Sequence, residues 1–382
     1  TAAAVTRALA SALAAARAAL ASEVGDLADF AGLEPWAVGF VAFMADVWSE
    51  VDRVLKPGGI VCAWALPKTA DLAGLALRAT GWEIFDSLLH RVGEGMSKAG
   101  DLGKKIDKML GAEREVVGKA KQGASAGMQN IGESGFTGGE YDVTAPATPE
   151  AERWTDWSSQ LAPGHEQWLL ARKPTRLTYA EQVLTHGSGA MNVGACRVPR
   201  GEGEAGTRCT NRDETGACRG HRNAGVSTSG ETFHGPDTSP AGSWPKNVVL
   251  TEGGPACPVA ELDRQSGASR YYTQFKYQAK ATDRAIPGDP EAKNRHPTHK
   301  HPELMRWLVR LVCPPGGRVL DPFMGSGTTG VAAAAEGCHF TGVEQDLDSS
   351  QVAQARVAYA YQAIDPEAYS PKGASVKPKH RT

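Results

Sequence analysis

Apolar and polar positions change rhythm several times along the chain, and each change predicts an element. From Val38, apolar residues recur through Phe40, Val41, Met44, Val47 and Trp48 to Leu55. That is the period of a helix with one buried face. Lys56-Pro57-Gly58-Gly59 stops it, because proline cannot continue the hydrogen-bond ladder and glycine disfavours it. Ile60 to Leu66 is then an unbroken apolar run between turns, as expected of a strand buried on both faces of a parallel sheet. Asp71–Thr80 predicts a helix ended by Gly81, and Trp82–His90 and Glu166–Lys173 predict further strands. Near the far end the order is helix (Glu303–Val312), strand (Arg318–Leu320), Gly-rich turn, helix, strand (His339–Val343) and a last helix. Helix and strand alternate, which predicts an α/β fold.

Other stretches break the rhythm. Residues 1 to about 30 are Ala-rich, carry Arg7 and Arg17, and hold no acid before Glu23. Arg17 interrupts any apolar signal core, so a surface helix is the better reading than a targeting peptide. Gly118–Gly139 is rich in Gly and Ser and predicts a loop. From Thr175 to Arg295 the text turns irregular, and Gly, Ser, Thr, Asn and Pro crowd residues 185–245. The chain therefore divides into an unassigned segment 1–37, an α/β half 38–174, a loop-rich insert 175–290, a second α/β half 291–362 and a flexible tail 363–382.

Composition narrows the classes. Charged residues make up 22% and hydrophobic ones 41%, with a formal net charge of −2, which excludes a disordered chain or a uniformly basic coat for nucleic acid. Local patches remain able to bind phosphate. No apolar run approaches the roughly eighteen residues of a spanning helix. Seven cysteines, odd in number and scattered, do not form a disulfide framework and fit a reducing, cytoplasmic setting. Cys196, Cys209, Cys218 and His221 have no recognised zinc spacing, so no metal is expected.

The strongest constellation is Arg318-Val-Leu-Asp321-Pro322-Phe323-Met-Gly325-Ser326-Gly327-Thr328-Thr329-Gly330. A short strand enters a turn that only small residues make, and a helix follows whose first N–H groups suit a carboxylate or phosphate. After the next strand comes Glu344, where an acid commonly grips two ribose hydroxyls. The glycine spacing alone also fits a nicotinamide enzyme. The Asp-Pro-Phe lead-in, with only about forty residues after Glu344, favours S-adenosylmethionine instead.

This motif resembles that of DNA amino-methyltransferases, and its place near the C-terminus resembles their permuted β group, common in phages. His296-Pro-Thr298-His-Lys300-His301-Pro302 is similar to the group's His-Pro-Thr-x-Lys-Pro segment, with His301 where proline is usual. Arg53–Gly59, Ser97–Lys104, His165–Trp168, Trp244–Val248 and Tyr277-x-Ala279-Lys280 resemble other islands of the family. The resemblance implies a Rossmann-like α/β methyltransferase sheet, predominantly parallel, with an antiparallel strand pair at one edge and a loop-rich target-recognition insertion. It makes residues 38–174 the catalytic half and 291–362 the cofactor half. The cofactor would be S-adenosyl-L-methionine, held by Asp321, Pro322, Phe323, Gly325, Ser326, Gly327, Thr328, Thr329 and Glu344, with Thr298 and Lys300 on its carboxylate. The reaction would be sequence-specific methylation of adenine N6 or, second, cytosine N4 in double-stranded DNA, within a bacterial or phage-infected cell. Arg270, Lys276, Tyr277 and Lys280 would contact DNA by phosphate pairing and stacking.

One expected piece is missing. The family's Asp/Asn/Ser-Pro-Pro-aromatic tetrapeptide accepts the amino group and stacks on the flipped base. It should lie before residue 40, where Glu34-Pro35-Trp36 is the only approximation. The sequence reads as truncated or replaced there. That leaves a non-catalytic DNA- or cofactor-binding remnant as the alternative and a nicotinamide oxidoreductase as a distant third.

Overall fold

Pro57 and the glycines after it end the first helix where the sequence placed its end, and they turn the chain into the central sheet. The computed structural model describes residues 34–93, 100–121, 140–199, 242–253, 257–277, 284–286, 289–294 and 300–364; at 121, 284–286 and 289–294 only the backbone is described. In chain order the elements are α1 (Pro35–Val54), β1 (Ile60–Ala65), α2 (Ala70–Ala79), β2 (Glu83–Arg91), α3 (Leu102–Leu110), β3 (Val116–Lys121), β4 (Glu140–Thr144), α4 (Pro149–Arg153), β5 (His165–Arg172) and α5 (Tyr179–His186). They continue as β6 (Val248–Glu252), α6 (Pro258–Gln265), β7 (Thr273–Lys276), β8 (Arg284–Ile286), β9 (Asp289–Asn294), α7 (Pro302–Val312), β10 (Arg318–Asp321), α8 (Thr328–Ala335), β11 (His339–Gly342) and α9 (Leu347–Ile364). The Ala-rich segment 1–30 and the heart of the predicted loop at 118–139 lie outside the described residues, whereas Gly118–Lys121 belong to β3.

The main sheet has the order β1-β5-β2-β6-β7. β5 runs against both β1 and β2, while β6 is parallel to β2 and β7 to β6. Four strands thus share one direction, and the single reversed strand sits one place in from the β1 edge. Two of the four, β6 and β7, come from the stretch 175–290 that reads as irregular. Each is only 5 or 4 residues long, too short to show a period against the surrounding turns.

β10 and β11 form a parallel pair of their own, yet the same helical layers enclose them. On one face α1 and α2 cover Ala63 and Ala65 of β1 and Leu169 of β5, with Leu320 of β10 packed into that cluster. On the other, Trp307, Leu308 and Leu311 of α7 and Ala332 and Ala333 of α8 cover Leu88, Trp168, Val249 and Phe275, joined by Val319 and Phe340 of the pair. Successive residues of β10 therefore enter opposite layers, as the pleat requires. Fully buried leucines such as Leu77, Leu88, Leu250 and Leu304 each contribute on the order of 2 kcal/mol. A side lobe of α3, β3, β4 and α4 is tied together by Asp107. It accepts hydrogen bonds from Thr148 Oγ1 at 2.7 Å and the Ala147 N–H at 3.0 Å, and pairs with Arg114 at 2.5 Å.

Candidate functional site

The parallel strand β10 delivers Asp321 to the mouth of the Gly-rich turn, at the carboxyl end where ligands of open α/β sheets bind. One Asp321 oxygen accepts the Phe323 N–H at 3.0 Å and the other the Thr329 hydroxyl. Burial pushes the Asp321 carboxyl above its ordinary range, although these two bonds and the nearby Lys300 ammonium pull it down. The turn bends through Gly325 and Gly327, at φ +50° and +79°, a backbone region that glycine enters freely. A Cβ on Gly327 would also stand 2.9 Å from Ala353 Cβ of α9, so the turn is pressed against that helix.

Glu344, just beyond β11, closes the turn. Its Oε2 accepts the Gly325 N–H and its Oε1 the Asp346 N–H, each at 2.9 Å. A carboxylate oxygen has two acceptor sites, so the group is fixed in place and keeps capacity for ligand hydroxyls. Arg356 of α9 donates to the Ser326 carbonyl, to Ser326 Oγ at 3.0 Å and to Thr328 Oγ1 at 3.5 Å. The hydroxyls of Ser326 and Thr328 are thereby engaged from behind, and both residues are buried. Phe323 is half exposed and meets Phe43 of α1 with ring centroids 6.2 Å apart. The structure thus gathers Asp321, Pro322, Phe323, Gly325, Ser326 and Gly327 in the turn, Thr328 and Thr329 at the start of α8, and Glu344 bonded to the turn from beyond β11.

Lys300 joins this site from the lead-in to α7. Its ammonium lies 3.9 Å from the ring centroid of Trp64, near the end of β1. Next to it His301 caps α7: Nε2 donates to the Lys276 carbonyl at 2.7 Å and Nδ1 accepts the Leu304 N–H at 3.4 Å. With both nitrogens so used, the ring is neutral and its tautomer fixed. Burial, helped by His90, lowers the His301 pKa against the raising effect of the Lys276 bond. His90 is itself buried, with Nε2 at 2.8 Å from Thr251 Oγ1 and Nδ1 at 3.7 Å from the Glu166 carboxylate. Sequence reasoning missed Trp64, Phe43, Arg356 and the His90 node. For Trp64 the available signal was a large aromatic at the end of a strand that follows the Pro-Gly turn.

The remaining candidates are more scattered. Thr298 and Lys280 lie outside the described residues. Lys276 ends β7, and Tyr277 follows it with its N–H on the Glu252 carbonyl at 2.6 Å. The exposed Arg270 stacks on Tyr271 at 4.5 Å from the ring centroid and bonds its hydroxyl at 2.8 Å. Glu34 is the N-cap of α1 without a side-chain capping bond, Pro35 is its first residue, and Trp36 is 55% exposed. α1 reaches the turn about two helical turns later, through Phe43. Of the four residues weighed for zinc, Cys209, Cys218 and His221 lie outside the described residues. Cys196 is buried near the Trp307 carbonyl, and burial pushes its thiol up to about 11. Among the described residues no cluster of three or more potential metal ligands occurs, and no helix is long and apolar enough to cross a membrane.

Residues 206–355 match the N6/N4 methyltransferase family model described as DNA methylase. This stretch is similar to DNA methylases. The matched segment contains the Gly-rich turn, Lys300 and Glu344, so it covers the motifs that carry the family resemblance. The chain is 38% identical over 69 residues to the type II methyltransferase M.HinfI of Haemophilus influenzae, covering 18% of this chain and 19% of that one. It is 36% identical over 63 residues to the type II methyltransferase M2.DpnII of Streptococcus pneumoniae, covering 16% and 24%. The matches thus span about a fifth to a quarter of those relatives. Among solved structures, the M1.HpyAVI–SAM complex aligns over 83% of this chain and 81% of its own at 13% identity and a TM-score of 0.35. The cytosine-N4-specific PvuII DNA methyltransferase aligns over 85% and 76% at 11% identity and a TM-score of 0.37.

Proposed function

We propose that the chain transfers a methyl group from S-adenosylmethionine to an exocyclic amino group in double-stranded DNA at a specific sequence, adenine N6 before cytosine N4. The observation that carries this reading is the turn itself, fixed between the Asp321 and Glu344 carboxylates, with the Lys300 ammonium beside it. The donor set suits that cofactor. Glu344 retains acceptor sites for two ribose hydroxyls, the ammonium of Lys300 suits an amino-acid carboxylate, and Asp321 offers a half-buried carboxyl to a cationic group. When bound, the cofactor supplies a methyl group on a sulfonium, already a good leaving group. The chain's own work is then to hold the two reacting centres in line and to exclude water.

For DNA, Arg270 stacked on Tyr271 and the pair Lys276-Tyr277 offer cations and rings suited to phosphate contact and base stacking. The amino group is reached only once the base has left the stack. Phe323, half exposed at the turn, is a candidate surface against that base. A second reading is cofactor binding without turnover, in which Glu34, Pro35 and the exposed Trp36 serve only to begin a helix.

The test is incorporation of labelled methyl from S-adenosylmethionine into unmethylated duplex DNA. The proposal expects incorporation that disappears with Asp321→Ala. Cofactor binding without incorporation, beside a working control enzyme, would establish the second reading instead.

A further inference from the structure

The Lys300 ammonium has a long, flexible stem, and something must hold it at the turn. Three observations make the Trp64 ring part of what does. First, the ammonium stands over the Trp64 ring, 3.9 Å from its centroid, the geometry in which the negative face of an indole attracts a cation. Second, both ends of the pair are anchored. Trp64 lies opposite Trp168 in the β1–β5 register and packs against the α7 cluster. Lys300 directly precedes His301, which is pinned to the Lys276 carbonyl and caps α7. Third, Lys300 is close enough to Asp321 to favour its ionised form. The charge therefore sits between the end of β1 and the mouth of the turn, two parts of the molecule that no described strand pairing connects.

We infer that Trp64 is a positioning residue of the cofactor site: its ring holds the Lys300 ammonium at the turn, where it receives the carboxylate of the bound amino-acid moiety. This rests on the cofactor reading above and assigns Trp64 a part in it that touches no reacting atom. A fixed ammonium loses less conformational freedom on binding than a free one, so the ring contributes to affinity through preorganisation. Leucine would fill much of the same space and offer no negative face, whereas phenylalanine would keep one.

The experiment is calorimetric titration of the full chain with S-adenosylmethionine and, separately, with its decarboxylated analogue. The variants are Trp64→Phe, Trp64→Leu and Lys300→Met, each checked for an unchanged thermal midpoint. For S-adenosylmethionine, Trp64→Leu is expected to weaken binding about tenfold and Lys300→Met at least as much, with Trp64→Phe within about threefold of wild type. For the decarboxylated analogue, all four proteins should bind alike, because the group that Lys300 receives is gone. Equal losses for both ligands in Trp64→Leu would make Trp64 merely structural and overturn the inference. So would an unchanged affinity in that variant. If Trp64→Leu fails to fold, the Lys300→Met and Trp64→Phe arms decide alone: a Lys300→Met loss that is the same for both ligands overturns the inference. Failure of the wild-type chain to bind S-adenosylmethionine at all would overturn the cofactor reading itself, an outcome distinct from the others.

Discussion

The turn at 321–330 and the start of α1 at 34–36 both lead a chain into a helix, and they are built in opposite ways. In the first, Asp321, Glu344, Thr329, Ser326 and Thr328 are all bonded, and Arg356 braces the turn from behind. In the second, the Glu34 side chain makes no capping bond and Trp36 is 55% exposed. The difference shows where this molecule spends its preorganisation. A site meant to receive a ligand without rearranging must fix its own polar groups beforehand, and of these two regions the turn does so. The sharpest way to break the contrast is Asp321→Ala. It strands the exposed Phe323 N–H, which water can satisfy, and the half-buried Thr329 hydroxyl, so the cost in stability should be no more than about 1 kcal/mol. Cofactor affinity by calorimetry should fall by about two orders of magnitude, and methyl incorporation should fall with it.

A smaller effect is expected from Gly327→Ala. Its φ of +79° disfavours any side chain, and the new Cβ would meet Ala353 at 2.9 Å, so the loss should be about 1–3 kcal/mol. Gly81 is the control, with φ +83° but nothing within 4 Å of its added Cβ. There Ala should cost only the backbone share, about 1–2 kcal/mol at most. Denaturant midpoints of the two variants separate close packing from conformation. If both lose the same amount, α9 does not press on the turn.

At the other region, Glu34→Gln and Trp36→Ala should leave stability within about 0.5 kcal/mol of wild type, as exposed positions do, and cofactor affinity unchanged. Methyl incorporation then becomes the informative readout. A loss confined to turnover would give this helix start a catalytic part, and no loss would remove it from the site.

The two regions were also unequally legible in the sequence. The turn could be read because backbone geometry dictates its residues: glycine where φ is positive, an acid after each of two strands. Elements with a clear period were found within a residue or two, as with Ile60–Ala65 and Pro302–Val312. β6 and β7 were not, since 5 and 4 residues among turns carry too little pattern. α5 hides behind a capping box from Thr178 to Glu181 in text that reads as loop. The roles of Trp64, Arg356 and His90 were missed for a different reason. Their partners are far away in the chain, and no local spacing records that Trp64 meets Lys300 or that Arg356 meets Ser326.

A proton-linked effect is expected next to the same site. His301 is neutral in the fold, with Nδ1 accepting the Leu304 N–H and Nε2 donating to the Lys276 carbonyl. Its pKa lies below the ordinary 6.5, mainly through burial, with His90 adding to the lowering and Glu303 and Glu166 opposing it. Below 6.5 the unfolded chain therefore binds a proton at this position more readily than the folded one, and the slope of stability against pH is positive. The contribution is complete above about pH 6.5 and is lost as pH falls from there toward the lower folded value. Protonating Nδ1 would also cost α7 its cap and loosen the residue that carries Lys300. Thermal midpoints measured from about pH 8 to pH 5 should decline more steeply for the wild type than for His301→Asn, in which a side-chain oxygen can cap without titrating. Parallel curves would mean that His301 keeps its neutral form through the whole range, and that the link between the α7 cap and the turn does not respond to pH.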